Sequence, residues 1–110
     1  MIDWIKVAEL RDEIGAEDFG EVFGLFLDNL HGVIEKLRHR PNPDDLESDL
    51  HLLKLGAANL GFSAFSEKCQ ASERMAADGR RDRIDIASIL DHFDRSLAEF
   101  TRDLPRKFAA

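Results

Sequence analysis

The residues best equipped for chemistry lie in Asp49 to Gly61, DLHLLKLGAANLG, where His51 stands three residues before Lys54. An imidazole carries a nitrogen nucleophile at neutral pH, and a nearby ammonium offsets the negative charge that a phosphoryl group brings. Residues three apart on a helix are neighbours, so the pair can act on one ligand. Leu46, Leu50, Leu53, Ala57 and Leu60 recur at three- and four-residue intervals and form one apolar stripe. That stripe predicts a buried face. His51 and Lys54 fall on the opposite side, beside Leu55 and Ala58, so both are expected to face water, with His51 poised as a phosphoacceptor.

The same stretch resembles the H-x-x-K-G-x-x-x-x-x-G signature of histidine-containing phosphotransfer (HPt) domains. His51 stands at the phosphoacceptor position, Lys54 at the lysine and Gly61 at the second glycine, with Asn59 and Leu60 before it. One element departs: the first glycine of the signature is here Leu55, and Gly56 follows it. The resemblance implies a four-helix module that passes phosphate between receiver domains of a two-component phosphorelay. It implies a role for Lys54 in compensating phosphate charge. It also places Glu73, 22 residues beyond the histidine, where family members keep a glutamine or glutamate. There the carboxylate can accept a hydrogen bond from Nδ1–H of the imidazole and leave Nε2 free to attack. Leu55 adds bulk beside the histidine, yet also offers apolar area to a docking partner, alongside Ala58 and Glu47.

The elements that must position these residues are helical throughout. Residues 3–14 read as a short helix with Asp3 as N-cap, Val7, Leu10 and Ile14 on one face and Gly15 as its stop. Too short to stand alone, it is expected to lie across the end of something larger, as a lid. From Glu17 to His39, Phe19, Val22, Phe23, Phe26, Leu30, Val33 and Leu37 mark a long amphipathic helix. Gly20, Gly24 and Gly32 each cost it about 1 kcal/mol relative to alanine, and are expected to admit a close neighbour. Arg38, His39 and Arg40 suit its C-terminal dipole.

Pro41-Asn42-Pro43 breaks the chain, and the histidine helix is predicted to start near Pro43 with Asp44, Asp45 and Glu47 in its first turn. Gly61 should end it in the left-handed conformation. A further helix, Ser63 to Ala77, carries Phe65, Cys69, Ser72 and Ala76 and is closed by Gly79; a last one, Asp85 to Leu104, carries Ile86, Ile89, Leu90, Phe93, Leu97, Phe100 and Leu104, with Pro105 expected to end it. No strand-like alternation or repeat is present. The pattern predicts an all-α fold, an antiparallel up-down four-helix bundle with an additional short N-terminal helix.

At 110 residues the chain is expected to be one domain, residues 1–110, free-standing and monomeric. A net charge of -7 without a basic cluster argues against nucleic acid as partner. No apolar run reaches the roughly 20 residues that span a bilayer, and no signal-peptide pattern opens the chain. A single cysteine, Cys69, on an apolar stripe suits a small core residue in a reducing compartment, so a cytoplasmic protein is expected.

His31, His39 and His92 form no paired motif on one face, and no metal site or cofactor is expected. No Walker-type or kinase glycine loop is present, so the chain is not expected to phosphorylate itself from ATP. Two readings of function follow. In the first, a response-regulator receiver domain or a hybrid sensor kinase supplies phosphate to His51, which passes it to another receiver. In the second, motivated by Leu55, the bundle binds receivers as an adaptor and has lost transfer. A metal-holding bundle is a distant third.

Overall fold

A computed structural model of the chain describes residues 2–108. Five α-helices account for most of them: α1 (Trp4–Ile14), α2 (Phe19–His39), α3 (Leu46–Leu60), α4 (Ser63–Ala77) and α5 (Ile86–Lys107). Single 3-10 turns at Pro43–Asp45 and Arg81–Arg83 precede α3 and α5, and no strand occurs among the described residues. The helix starts follow local chemistry. The Asp3 carboxylate accepts the Lys6 N–H at α1, and the Asp85 carboxylate accepts the Ser88 N–H at α5. Asn42 caps the 3-10 turn through the Asp44 N–H, and α3 proper begins at Leu46, after the expected start at Pro43.

One apolar cluster runs from Val7 to Phe100 and draws residues from every helix. Leu46, Leu50, Leu53, Ala57 and Leu60 are all buried, so the α3 stripe faces inward as its spacing requires. Phenylalanines from α2, α4 and α5 meet at its centre, with Phe62 of the link between α3 and α4. Phe23 of α2 stacks on Phe100 of α5 with ring centroids 4.5 Å apart, and Phe93 meets Phe65 edge-on at 5.3 Å. Trp4 of α1 stacks on Phe100 at 5.6 Å, so the first helix is built into the core and does more than cover it.

Pairs across the helices fix their register. Leu30 of α2 meets Gly56 of α3, and Lys36 meets Asp49, while Lys54 and His51 of α3 meet Ser66 and Glu73 of α4. Rising numbers on one helix thus pair with falling numbers on the next. Lys36 bridges the carboxylates of Asp45 at 3.0 Å and Asp49 at 3.1 Å. Its ammonium is held above the usual lysine range by the hydrogen bond to Asp45, then by that to Asp49. Asp49 is buried and committed to α2, and Lys54 on α3 finds its partner elsewhere.

Two expectations give way to packing. Pro105 does not end α5, which continues to Lys107. A proline this close to a helix end forfeits only one backbone hydrogen bond, and the extra turn delivers Phe108 to Phe19, at 6.3 Å, and Trp4, at 6.4 Å. The glycines of α2 admit no neighbour: a Cβ at Gly20, Gly24 or Gly32 would meet nothing within 4 Å. The close approach occurs instead at Gly56, where a Cβ would lie 2.5 Å from Leu30 Cδ2.

Gly61 is required twice over. Its φ of +84° is the left-handed region, and a Cβ there would stand 2.8 Å from the Asp3 carbonyl oxygen. The Asp3 N–H also donates to the Gly61 carbonyl at 2.7 Å, tying α1 to the α3–α4 link. Gly61→Ala is therefore expected to lower stability by about 1–3 kcal/mol. Gly32→Ala, in open helix, is expected to raise it by about 0.5–1 kcal/mol. Urea unfolding followed by circular dichroism checks both signs.

Candidate functional site

The buried leucines of α3 turn His51 outward, and its side chain is 49% exposed. Because α4 returns alongside α3 after only Gly61 and Phe62, Glu73 comes level with it. Glu73 Oε1 lies 2.7 Å from His51 Nδ1, and Glu73 Oε2 lies 2.8 Å from Lys54 Nζ. One carboxylate thus spans both residues that the sequence singles out. A hydrogen bond from Ser66 Oγ to the Lys54 carbonyl, at 3.0 Å, holds the two helices together at the same level.

The carboxyl of Glu73 is held below the usual carboxylate range, first by the hydrogen bond from Lys54; partial burial opposes this, and the hydrogen bond from His51 adds to it. It is therefore ionised at neutral pH and can only accept. The hydrogen between it and the ring must sit on Nδ1, which leaves the lone pair of a neutral imidazole on Nε2. Nε2 makes no hydrogen bond among the described residues. What results is a half-exposed ring on α3 with Nδ1 engaged by Glu73 and Nε2 left without a hydrogen bond among the described residues.

Lys54 is less exposed than its spacing suggests, at 23%, and its ammonium lies on the Nδ1 side of the ring through Glu73. The expected charge compensation would require it to turn toward Nε2. Glu47 and Ala58 are exposed on α3, and Glu47 lines a shallow depression with Asp44, Ser48, His51 and Glu73. Leu55 is 48% exposed one turn beyond His51. Cys69, four residues before Glu73, is fully buried, and its thiol is pushed up to about 12 by burial first and the Glu73 charge second. It is inert packing, as its position on the stripe implies.

Sequence reasoning missed an apolar surface on the side of α3 that faces α2. Leu52 is 56% exposed and Phe26, assigned to the core by its period, is 42% exposed. Both line a cleft of about 280 Å³ between α2 and α3, with Leu30, Val33, Gly56 and the carboxamides of Asn29 and Asn59. A signal was present: leucines at positions 50, 52, 53 and 55 cannot share one face of a helix. Among the described residues no group of histidine, cysteine or acidic side chains could hold a metal ion, and no helix is long and apolar enough to cross a membrane. Comparison with family models, curated proteins and solved structures finds no match to the chain.

The acid limb of stability tests the Glu73 geometry. A carboxyl lowered on folding contributes stability that is fully present above its unfolded value, about 4.3, and is lost as pH falls through the lower folded value. Glu73→Gln should abolish that part of the pH dependence. The check is a series of urea midpoints between pH 2.5 and 6, in which wild type and variant converge at the acid end.

Proposed function

We propose that the chain is a histidine phosphotransfer protein of the HPt type. On this reading, α2 to α5 form an antiparallel up-down four-helix bundle, with α1 as the additional helix across one end. The register pairs between α2, α3 and α4, and the stacking of Phe23 on Phe100, support that arrangement. The observation that carries the function is Glu73 holding Nδ1 at 2.7 Å on a ring that is half-exposed on α3.

A receiver domain presents an aspartyl phosphate. Nε2 attacks phosphorus in line, the P–O bond breaks with its electron pair leaving on the aspartate, and a P–N bond forms. Nδ1 keeps its hydrogen, so the ring becomes cationic, and the Glu73 carboxylate neutralises it across the existing hydrogen bond. Lys54 turns toward the phosphoryl oxygens. Attack by the aspartate of a second receiver reverses each step. Positioning and charge compensation account for the catalysis, and the chain brings no ATP site of its own. The test is incubation with an aspartyl-phosphorylated receiver: acid-labile label on the wild-type chain supports the proposal, and its absence across a panel of receivers from the source organism overturns it.

The exposed Leu55 beside His51 favours a second reading, an adaptor that binds receivers without taking phosphate. Leu55→Gly separates the two. If transfer is intact, the variant loses apolar docking area and binds a receiver about ten- to a hundredfold more weakly, since a leucine fully buried on binding contributes about 1.5–3 kcal/mol. If the adaptor reading holds, wild type binds without being labelled and the variant gains label. Isothermal titration together with a transfer assay distinguishes them.

A further inference from the structure

Glu73 makes two contacts where orienting the ring needs only one. Its Oε1 faces His51 Nδ1 and its Oε2 faces Lys54 Nζ, at 2.7 and 2.8 Å. The ring and the ammonium therefore compete for a single negative charge. We propose that this competition sets how long His51 keeps a phosphoryl group, Glu73 shortening the lifetime of the phosphohistidine and Lys54 lengthening it. The inference rests on phosphorylation of His51 at Nε2, and adds to that reading a control on the stored phosphate.

The argument is one of leaving groups. When water attacks phosphorus, the P–Nε2 bond breaks and its electron pair returns to the ring. If Nδ1 carries hydrogen, the departing group is neutral imidazole; if Nδ1 has lost it, the departing group is imidazolate, a far poorer one. The attacking water gives its proton to solvent, and the products are inorganic phosphate and neutral His51. Lability therefore tracks the hydrogen on Nδ1. An ionised carboxylate at hydrogen-bond distance retains that hydrogen as pH rises.

Charges from each neighbouring element bear on the ring. On α4 the facing group is Glu73; on α3 they are Lys54 and Glu47; Asp44 of the preceding 3-10 turn lines the same depression. Glu47 and Asp44 are exposed, and Asp44 is engaged at 3.6 Å by Arg81, so solvent screens both. Glu73 alone among the carboxylates touches the ring among the described residues. Lys54 draws on the same carboxylate and so weakens its hold on Nδ1, and when it turns to the phosphoryl oxygens its positive charge near the ring still disfavours a hydrogen on Nδ1.

Potassium phosphoramidate, a small phosphodonor for histidine, loads the ring without a receiver, so the experiment stands apart from the search for a partner. Decay of the phosphohistidine is followed by phosphorus NMR from pH 6 to 10 in wild type, Glu73→Gln and Lys54→Ala. Decay is expected to be fast at low pH and to slow as Nδ1 loses its hydrogen. In Glu73→Gln the slowing should begin about one pH unit lower, giving a phosphohistidine about tenfold longer-lived on the alkaline side. In Lys54→Ala it should begin at higher pH, with a shorter lifetime. Opposite displacements by two neighbouring variants are not what mere loosening of the helix pair would give, and unchanged circular dichroism confirms that each is folded. Superimposable profiles, or displacement of both variants in the same direction, overturn the proposal even if receivers phosphorylate His51. Absence of label at position 51 with this donor also overturns it, by removing the nucleophile on which it depends.

Discussion

If the chain transfers phosphate as proposed, His51→Ala is expected to accept no phosphoryl group from a phosphorylated receiver domain, a loss of at least about 1,000-fold in transfer rate. No other histidine has its surroundings. His31 meets the Phe93 ring edge-on at 5.2 Å, His39 is paired with Glu35 at 3.0 Å, and His92 Nδ1 is buried with no hydrogen-bond partner. His39 is exposed, but its carboxylate comes from its own helix and takes Nε2, whereas the carboxylate on His51 comes from α4, takes Nδ1 and is shared with Lys54. Because the His51 side chain is half-exposed, its removal should leave the fold within about 0.5 kcal/mol of wild type. Transfer assays with mass-spectrometric mapping, set beside urea midpoints, check both halves. Equal acid-labile label on wild type and variant would place the phosphoacceptor elsewhere.

The second large effect belongs to the core. Phe93 is fully buried, meeting Phe65 at 5.3 Å, Phe62 at 6.5 Å and His31 at 5.2 Å. Phe93→Ala removes a ring from the contact between α5, α4 and α2, and should cost about 3–5 kcal/mol. A domain of this size is stable by only about 5–15 kcal/mol, so the melting temperature should fall by roughly 15–30 °C. Phe26→Ala, on the exposed edge of α2, serves as the control and should cost far less. Differential scanning calorimetry of the two variants measures the contrast, and equal losses would mean that the core is not centred on Phe93.

Much of this arrangement was legible in the sequence because it rests on periodicity. The α3 stripe fixed which way His51 points, whereas Glu73 was reached only through the family resemblance, its level depending on the short link of Gly61 and Phe62. Glycine at the α3 end could be read from the need for a left-handed residue. Other features depend on what lies opposite, which one chain segment cannot reveal. Phe26 has the right period and no neighbour to cover it, whereas Gly56 meets Leu30 although the glycines of α2 meet nothing. Lys54 is less exposed than its spacing suggests, because its ammonium is drawn onto Glu73 of α4, which the sequence of α3 alone does not reveal. Pro105 reads as a stop until the ring of Phe108 beyond it is seen against Trp4 and Phe19.

The meeting of Leu30 with Gly56 carries a historical consequence. A methyl at position 56 would stand 2.5 Å from Leu30 Cδ2, the free end of a flexible side chain, so Leu30 must turn aside for it, while trimming Leu30 would leave a void that the methyl could fill. A change at either position alters what the other tolerates, so the two sites are expected to diverge in concert.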